Sequence, residues 1–175
     1  MIDFGENTGI RAIVGFTDAT KDLIESKSNP YNYPKMVELS PPEHLEKRLK
    51  EAREFKEKGD IQQSCEKLYL VVESIIKILA EKENVEAYQK AISGRGWNTY
   101  LLGEAVAELE EKYSKEPDKI GNLIGHIWDK ALILHRYGFH DNYISKKAFL
   151  RSYEFITENL PIIAQKAGIK LKFNP

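Results

Sequence analysis

Apolar residues recur at helical spacing along most of the chain, and the clearest repeat lies between residues 60 and 81. The repeat advances by alternating steps of four and three residues, which places its members on one face of an α-helix. Further apolar residues widen this face, so the pattern predicts a helix that is covered on most sides, at the centre of a bundle. The residues in the repeat are Ile61, Cys65, Leu68, Val72, Ile75 and Leu79.

Four other segments carry narrower apolar faces of the same period. Together with the central helix they predict an all-α fold. We expect an antiparallel up-and-down bundle of four to five helices, because short connections favour antiparallel neighbours. The polar residues 82–96 are predicted to form a connection without a helix. The four segments are residues 42–58, about 97–114, about 117–137 and about 144–167.

Glycine and proline residues mark the predicted helix ends. Gly59 is expected to end the first helix and Asp60 to cap the next one. Gly138 is expected to stop the helix that precedes it. Pro161 is expected to kink or break the last helix, because an interior proline costs about 3 kcal/mol. The alternating residues 169–173 have no obvious partner strand and are predicted to be coil.

Residues 1–41 differ in composition from the rest of the chain. They are rich in Gly, Asn, Pro, Thr and Ser, and only the stretch from Thr17 to Ser26 has enough helix formers for a short helix. Their apolar residues are too numerous for a purely solvated tail. The sequence therefore predicts an N-terminal arm, mostly irregular, over residues 1–41, and a helical bundle domain over residues 42–175.

Charge and cysteine content exclude several classes of protein. The 175 residues include 26 basic and 27 acidic side chains, a net charge of −1. This balance argues against bulk electrostatic capture of nucleic acid or anionic membrane, although a local basic patch remains open. Cys65 is the single cysteine, so an intramolecular disulfide and a Cys-rich zinc site are excluded. No signal peptide or long apolar span is evident, and we expect a cytoplasmic protein without membrane contact.

Residues 134–143 hold the densest group of reactive side chains. They bring His135, Arg136, His140 and Asp141 together at a predicted helix–helix corner. A histidine can serve as a general acid or base near neutral pH, and an arginine can hold a phosphate with two hydrogen bonds. The alternative interpretation is a corner whose polar groups only cap two helix ends. The close run of ligands lacks the usual metal spacing, so no metal and no cofactor is predicted.

Two blocks of sequence resemble the archaeal PaREP family, which belongs with the HEPN-like helical domains. One runs from Gly59-Asp60 through Gln63-Ser64-Cys65-Glu66-Lys67-Leu68-Tyr69 to Ala80, and the other is Leu134-His135 with Gly138-Phe139-His140-Asp141-Asn142. The resemblance covers roughly residues 44–165. It implies an antiparallel bundle that often dimerises. Many HEPN-like domains are metal-independent ribonucleases or non-catalytic partners of nucleotidyltransferases.

The resemblance also implies roles for particular residues. Catalytic HEPN-like domains carry an arginine followed, after four to six intervening residues, by a histidine, and a dimer joins two such motifs in one cleft. Here only three residues separate Arg136 from His140, and Gly138 lies between them. In a degenerate motif His140 is the base and Arg136 holds the phosphate. Apart from the resemblance, the positions of Glu66 and Lys67 on an apolar helix leave two alternatives, a buried polar network that faces this corner or an outward-facing ion pair.

Three functions follow as alternatives. The preferred one is a non-catalytic interaction module, a homodimer that can have a protein partner such as a nucleotidyltransferase. The second is a metal-independent endoribonuclease that acts on RNA through Arg136 and His140. The third is a bundle that binds a small ligand or nucleotide at the same corner.

Overall fold

The computed structural model describes residues 42–117 and 119–172, and all regular structure in this part of the chain is helical. The all-α prediction is therefore confirmed for these residues, whereas the predicted arm over residues 1–41 lies outside them. A π-helical segment, Leu134–His140, continues directly from the fifth helix. The α-helices are α1 (Pro42–Glu57), α2 (Ile61–Lys82), α3 (Glu86–Ser93), α4 (Thr99–Ser114), α5 (Gly121–Ile133) and α6 (Lys146–Lys166).

Helix α2 occupies the centre, as its apolar repeat predicts. It packs against α1, α4, α5, α6 and the π-helical segment. Cys65, Leu68, Val72, Ile75 and Leu79 of the repeat are completely buried. Removing so wide an apolar face from water is the main force that holds the bundle together.

The predicted boundary between α1 and α2 is confirmed in detail. Gly59 adopts a φ of 79°, a conformation that favours glycine, and the next backbone N–H, of Asp60, bonds to Phe55 O at 2.9 Å. The Asp60 carboxylate then accepts a hydrogen bond of 3.0 Å from the backbone N–H of Gln63. One residue pair thus ends a helix and starts the next.

The prediction that residues 82–96 contain no helix is wrong, because α3 lies within them. Its N-cap residue, Val85, has no side-chain hydrogen-bonding group. Glu108 of α4 replaces the missing cap. Its carboxylate accepts hydrogen bonds from the backbone N–H groups of Glu86 at 2.6 Å and Ala87 at 3.1 Å. A cap supplied by another helix leaves no signal in the local sequence.

Two positions at which a helix was expected to end lie inside helices instead, whereas the alternative of a kink at Pro161 stays a prediction. Gly138 lies inside the π-helical segment, so the chain stays helical to His140. Pro161 lies inside α6, which continues to Lys166. The buried residues Leu160 and Ile163 on either side of Pro161 stay packed in the core. Their burial outweighs the one hydrogen bond that proline removes.

The last described residues return to the first helix without forming a strand, as predicted. Ile169 is buried, and the backbone N–H of Lys172 donates to Glu46 Oε1 at 3.0 Å. None of the described helices is long and apolar enough to cross a membrane.

Candidate functional site

The π-helical segment determines which side chains meet at the corner. Its wide turn is closed by the backbone N–H of Asp141, which bonds to Arg136 O, five residues earlier, at 2.9 Å. In an α-helix, two residues five apart point in directions that differ by about 140°. The wider turn instead brings His135 and His140 together on one side.

A continuous chain of hydrogen bonds links three side chains from two helical elements. Glu66 Oε2 of α2 lies 2.8 Å from His135 Nδ1. His135 Nε2 lies 3.0 Å from His140 Nε2. Glu66 and His135 are largely buried, whereas His140 is exposed. The chain thus runs from the central helix to the surface of the domain, and we call it the Glu66–His135–His140 chain.

Aromatic rings hold His135 in place. The Tyr69 ring stacks on it with centroids 3.9 Å apart, and the Phe139 ring lies 5.7 Å away on a nearly parallel plane. Gln62 Nε2 donates to Phe139 O at 2.8 Å, which fixes the π-helical segment to α2. Burial raises the pKa of Tyr69, so its phenol stays protonated beside the histidine. These contacts give His135 one ring orientation.

Arg136 and Asp141, the other two predicted residues of the corner, are both exposed, but only Arg136 lies on the same side of the helix as His140. Arg136 is exposed and lies four residues before His140, which puts both on the same side of the helix. Its guanidinium lies 5.9 Å from the centroid of the Tyr137 ring. Asp141 is exposed, and its backbone N–H rather than its carboxylate contributes to the corner.

Lys67 does not join the corner. Its ammonium pairs with Glu51 of α1 at 2.8 Å and holds the pKa of that carboxyl below its usual value. Glu66 and Lys67, which were predicted to act together, therefore contact different neighbours. Only Glu66 belongs to the site.

Within residues 42–117 and 119–172, no group of three His, Cys, Asp or Glu side chains is placed to hold a metal ion. The donors of the Glu66–His135–His140 chain are already bonded to one another. The arrangement is therefore suited to moving a proton between Glu66 and the exposed His140.

Sequence reasoning missed Tyr69 and Gln62 as supports of the site, and it did not pair His135 with His140. Four residues lie between these two histidines. The α-helical period points side chains at that separation apart, so nothing in the sequence indicated that the two would meet.

Comparison with known proteins defines the class of this chain. The model of the archaeal PaREP1/PaREP8 family matches residues 42–158, which include every residue of the site. The chain therefore belongs to this family. It is also similar to a Sulfolobus solfataricus protein of known crystal structure, with 28% identity and a TM-score of 0.59 over 74% of this chain and 98% of that one. No curated protein matches the chain.

Proposed function

We propose that this protein is a HEPN-like domain that cleaves RNA without a metal ion, using His140 as the general base. The Glu66–His135–His140 chain carries this proposal. Support for the HEPN-like assignment comes from the helical bundle and from Arg136 and His140, which follow one another at its corner in the order of the expected motif, with three residues between them. The chain reaches the surface at an exposed histidine, where a substrate has access.

The hydrogen bonds assign the proton positions along the chain. A carboxylate can only accept, so His135 Nδ1 donates to Glu66 and His135 Nε2 is left as an acceptor. His140 Nε2 must then donate to His135. His140 Nδ1 keeps its lone pair and has no partner among the described residues. This nitrogen is the base.

In the proposed reaction His140 Nδ1 takes the proton of a ribose 2′-hydroxyl. The 2′-oxygen forms a bond to the adjacent phosphorus, the bond from phosphorus to the 5′-oxygen breaks, and that oxygen takes a proton from water. The hydroxide that remains is neutralised by the proton that His140 releases, which restores the base. The products are a 2′,3′-cyclic phosphate and a free 5′-hydroxyl. Glu66 stabilises the positive charge that His140 gains, acting through His135. Arg136 holds the phosphate that becomes more negative in the transition state.

A non-catalytic interaction module is the second candidate, and one observation favours it. Ile133 and Tyr137 are each almost half exposed and lie along the helix that carries the site. Exposed apolar side chains of this size suit a partner surface, either a second copy of this chain or a protein such as a nucleotidyltransferase. Homodimer formation at this face would also place two His140 side chains near each other.

The test is cleavage of a labelled RNA pool in EDTA by the wild-type protein and by His140→Ala. The matched control is His126→Ala, which removes another exposed histidine, on α5. We expect cleavage by the wild type and the control, with cyclic phosphate ends, and a loss of at least about 100-fold in His140→Ala.

Absence of cleavage in all three proteins would reject the ribonuclease and leave the interaction module. Light scattering at micromolar concentration then decides whether the partner is a second copy. A monomer would reject the homodimer.

A further inference from the structure

A cluster of basic side chains follows the site along the chain. Residues 136–151 contain four basic residues and one acidic residue, a net charge of +3 in a chain whose total is −1. All four basic residues are exposed, and none forms an ion pair within the described part of the chain. We call Arg136, Lys146, Lys147 and Arg151 the basic corner.

Ion pairs are common elsewhere on the described surface, although several other lysines, such as Lys56, Lys119 and Lys170, also form none. Eight lysines elsewhere in residues 42–117 and 119–172 form ion pairs with glutamates. At the basic corner, Lys146 and Lys147 instead occupy the first turn of α6, where positive charge opposes the helix dipole. Lys147 and Arg151 are a like-charge pair four residues apart, which also destabilises a helix. Helix stability therefore does not account for these residues.

The surface beside these charges is concave. A depression of about 540 Å³ is lined by two cations, Lys147 and Arg151, and one carboxylate, Glu154, together with Ser145, Ala148 and Leu150. Its two cations lie on one side of α6, because they are four residues apart. Such a depression lets both cations approach one chain of phosphates.

An exposed aromatic ring lies between the basic corner and His140. Tyr143 is 85% exposed, and the large apolar surface of its ring makes no ring contact in the described residues. Its backbone is fixed, because its N–H donates to Tyr137 O at 2.7 Å. A solvent-exposed ring on a fixed backbone is suited to stacking on a nucleic acid base.

We infer that single-stranded RNA binds across the basic corner, with phosphates at Lys147 and Arg151 and a base stacked on Tyr143. This inference rests on the proposed function, for which it supplies the substrate class. Lys147 lies seven positions after His140 in the chain, so their Cα atoms are at most about 25 Å apart. RNA bound at the cations therefore extends over only a few nucleotides to reach the base.

The single strand is favoured over duplex RNA and over an acidic protein by Tyr143. The bases of a duplex are stacked on one another and are not available to an exposed ring. An acidic protein would use the cations and leave the ring without a role. Stacking is tolerant of sequence, so no particular base is required.

The probe is a fluorescent RNA of about 12 nucleotides, a length that one single-strand site can cover. Its binding is measured by fluorescence anisotropy with the His140→Ala protein, so that cleavage does not interfere. Two variants are added to this background, Lys147→Gln/Arg151→Gln and Tyr143→Ala. The matched control is Lys119→Gln/Lys170→Gln, which removes two charges from exposed lysines elsewhere that also form no ion pair with a described residue. The same RNA annealed to its complement provides the duplex arm.

We expect the loss of two cations to weaken single-strand binding and to reduce the slope of log K against log salt by about 1.4. Tyr143→Ala should weaken single-strand binding by at least about fivefold and leave duplex binding unchanged. Equal losses for single strand and duplex in Tyr143→Ala, or unchanged binding in both variants, would overturn the inference. A failure of the proposed function gives a different result. In that case the RNA binds through the basic corner, but the wild-type protein does not cleave it.

Discussion

Cys65 Sγ lies in the space that a side chain at Gly138 would occupy. A Cβ atom at position 138 would meet this sulfur and would lie 3.0 Å from Cys65 Cβ. The backbone of the π-helical segment at Gly138 therefore packs directly against the Cys65 side chain of α2, with no room for a larger residue at position 138. This contact places His135 of one element beside Glu66 of the other, since Glu66 directly follows Cys65 and His135 lies three residues before Gly138.

Gly138→Ala should destabilise the protein by about 1–3 kcal/mol, because the new methyl group overpacks the contact with Cys65. The sign is informative, since alanine in place of glycine usually stabilises a helix. Urea unfolding of both proteins measures the difference. An unchanged or increased free energy of unfolding would show that the contact is loose.

Cys65→Ala is the partner variant for this measurement. It removes the sulfur, so part of the cost of Gly138→Ala should disappear in the double variant. A coupling energy of about 0.5 kcal/mol or more is expected from the four free energies of the cycle. Strict additivity would mean that the methyl group is accommodated without touching position 65.

The Cys65 thiol should not react with a thiol reagent such as DTNB in the native protein. Burial raises the pKa of Cys65 to about 12, with a smaller effect from Glu66, and the thiolate is the reactive form. Labelling in buffer and in denaturing urea measures the difference. Labelling in buffer at the rate seen in urea would contradict the structure.

Glu66→Gln tests the inner end of the Glu66–His135–His140 chain. Glutamine can keep the hydrogen bond to His135 but carries no charge to stabilise a cationic His140, so RNA cleavage should fall by at least about tenfold. The pH dependence of cleavage should also change, which a purely structural role would not produce. Glu81→Gln, an exposed substitution on the same helix, is the control.

Glu110→Gln should stabilise the protein at pH 7 but not at pH 4. Burial, and then the nearby Asp129, raise the pKa of Glu110, so the folded state binds the proton more tightly than the unfolded state. Stability therefore falls as pH rises from the ordinary glutamate pKa through the raised one. Glutamine at this position avoids the loss. The gain in the free energy of unfolding should be only a fraction of about 1 kcal/mol, because the Glu110 carboxyl is partly exposed.

Urea unfolding at both pH values checks this prediction. Glu111→Gln is the matched control, since Lys115 lowers the pKa of Glu111 and its charged form is favoured by the fold. The control should not stabilise the protein at pH 7. A gain of equal size at pH 4 and pH 7 for Glu110→Gln would contradict the assignment to its carboxyl charge.

Glu108→Ala should destabilise the protein by about 1 kcal/mol, because α3 loses the cap on two backbone N–H groups. Hydrogen exchange should locate the change, with the amides of Glu86 and Ala87 losing protection first. Glu104→Ala, one turn earlier on α4, lacks these hydrogen bonds and serves as the control. Equal effects of the two variants would refute the capping role.

The sequence predicted those parts of the fold that depend on nearby residues. The burial of α2 follows from the period of Cys65 to Leu79, and the boundary at Gly59 and Asp60 follows from glycine and cap chemistry. Two features could not be predicted in this way, namely the start of α3 and the continuation of the helix past Gly138. They depend on Glu108 and Cys65, which are distant in sequence.

The candidate site shows the same division. Arg136, His135 and His140 were evident as reactive residues close together in the chain. Their relation to Glu66 spans 69 positions and also requires the π-helical turn, which no pattern of apolar residues encodes. Lys67 was grouped with Glu66 because the two are adjacent in the chain. Adjacent residues on a helix point in different directions, and Lys67 pairs with Glu51 instead.

The wide turn at Leu134–His140 makes the site depend on a residue count rather than only on residue types. Relative to an α-helix, such a turn accommodates one additional residue. Deleting a single residue between the two histidines would restore α-helical winding and place them four apart, and the chain after them would shift by one position. Residues four apart share one side of an α-helix, so the two histidines would still lie close together. Related sequences can therefore keep the pair in two ways, with five positions and the wide turn or with four positions and α-helical winding.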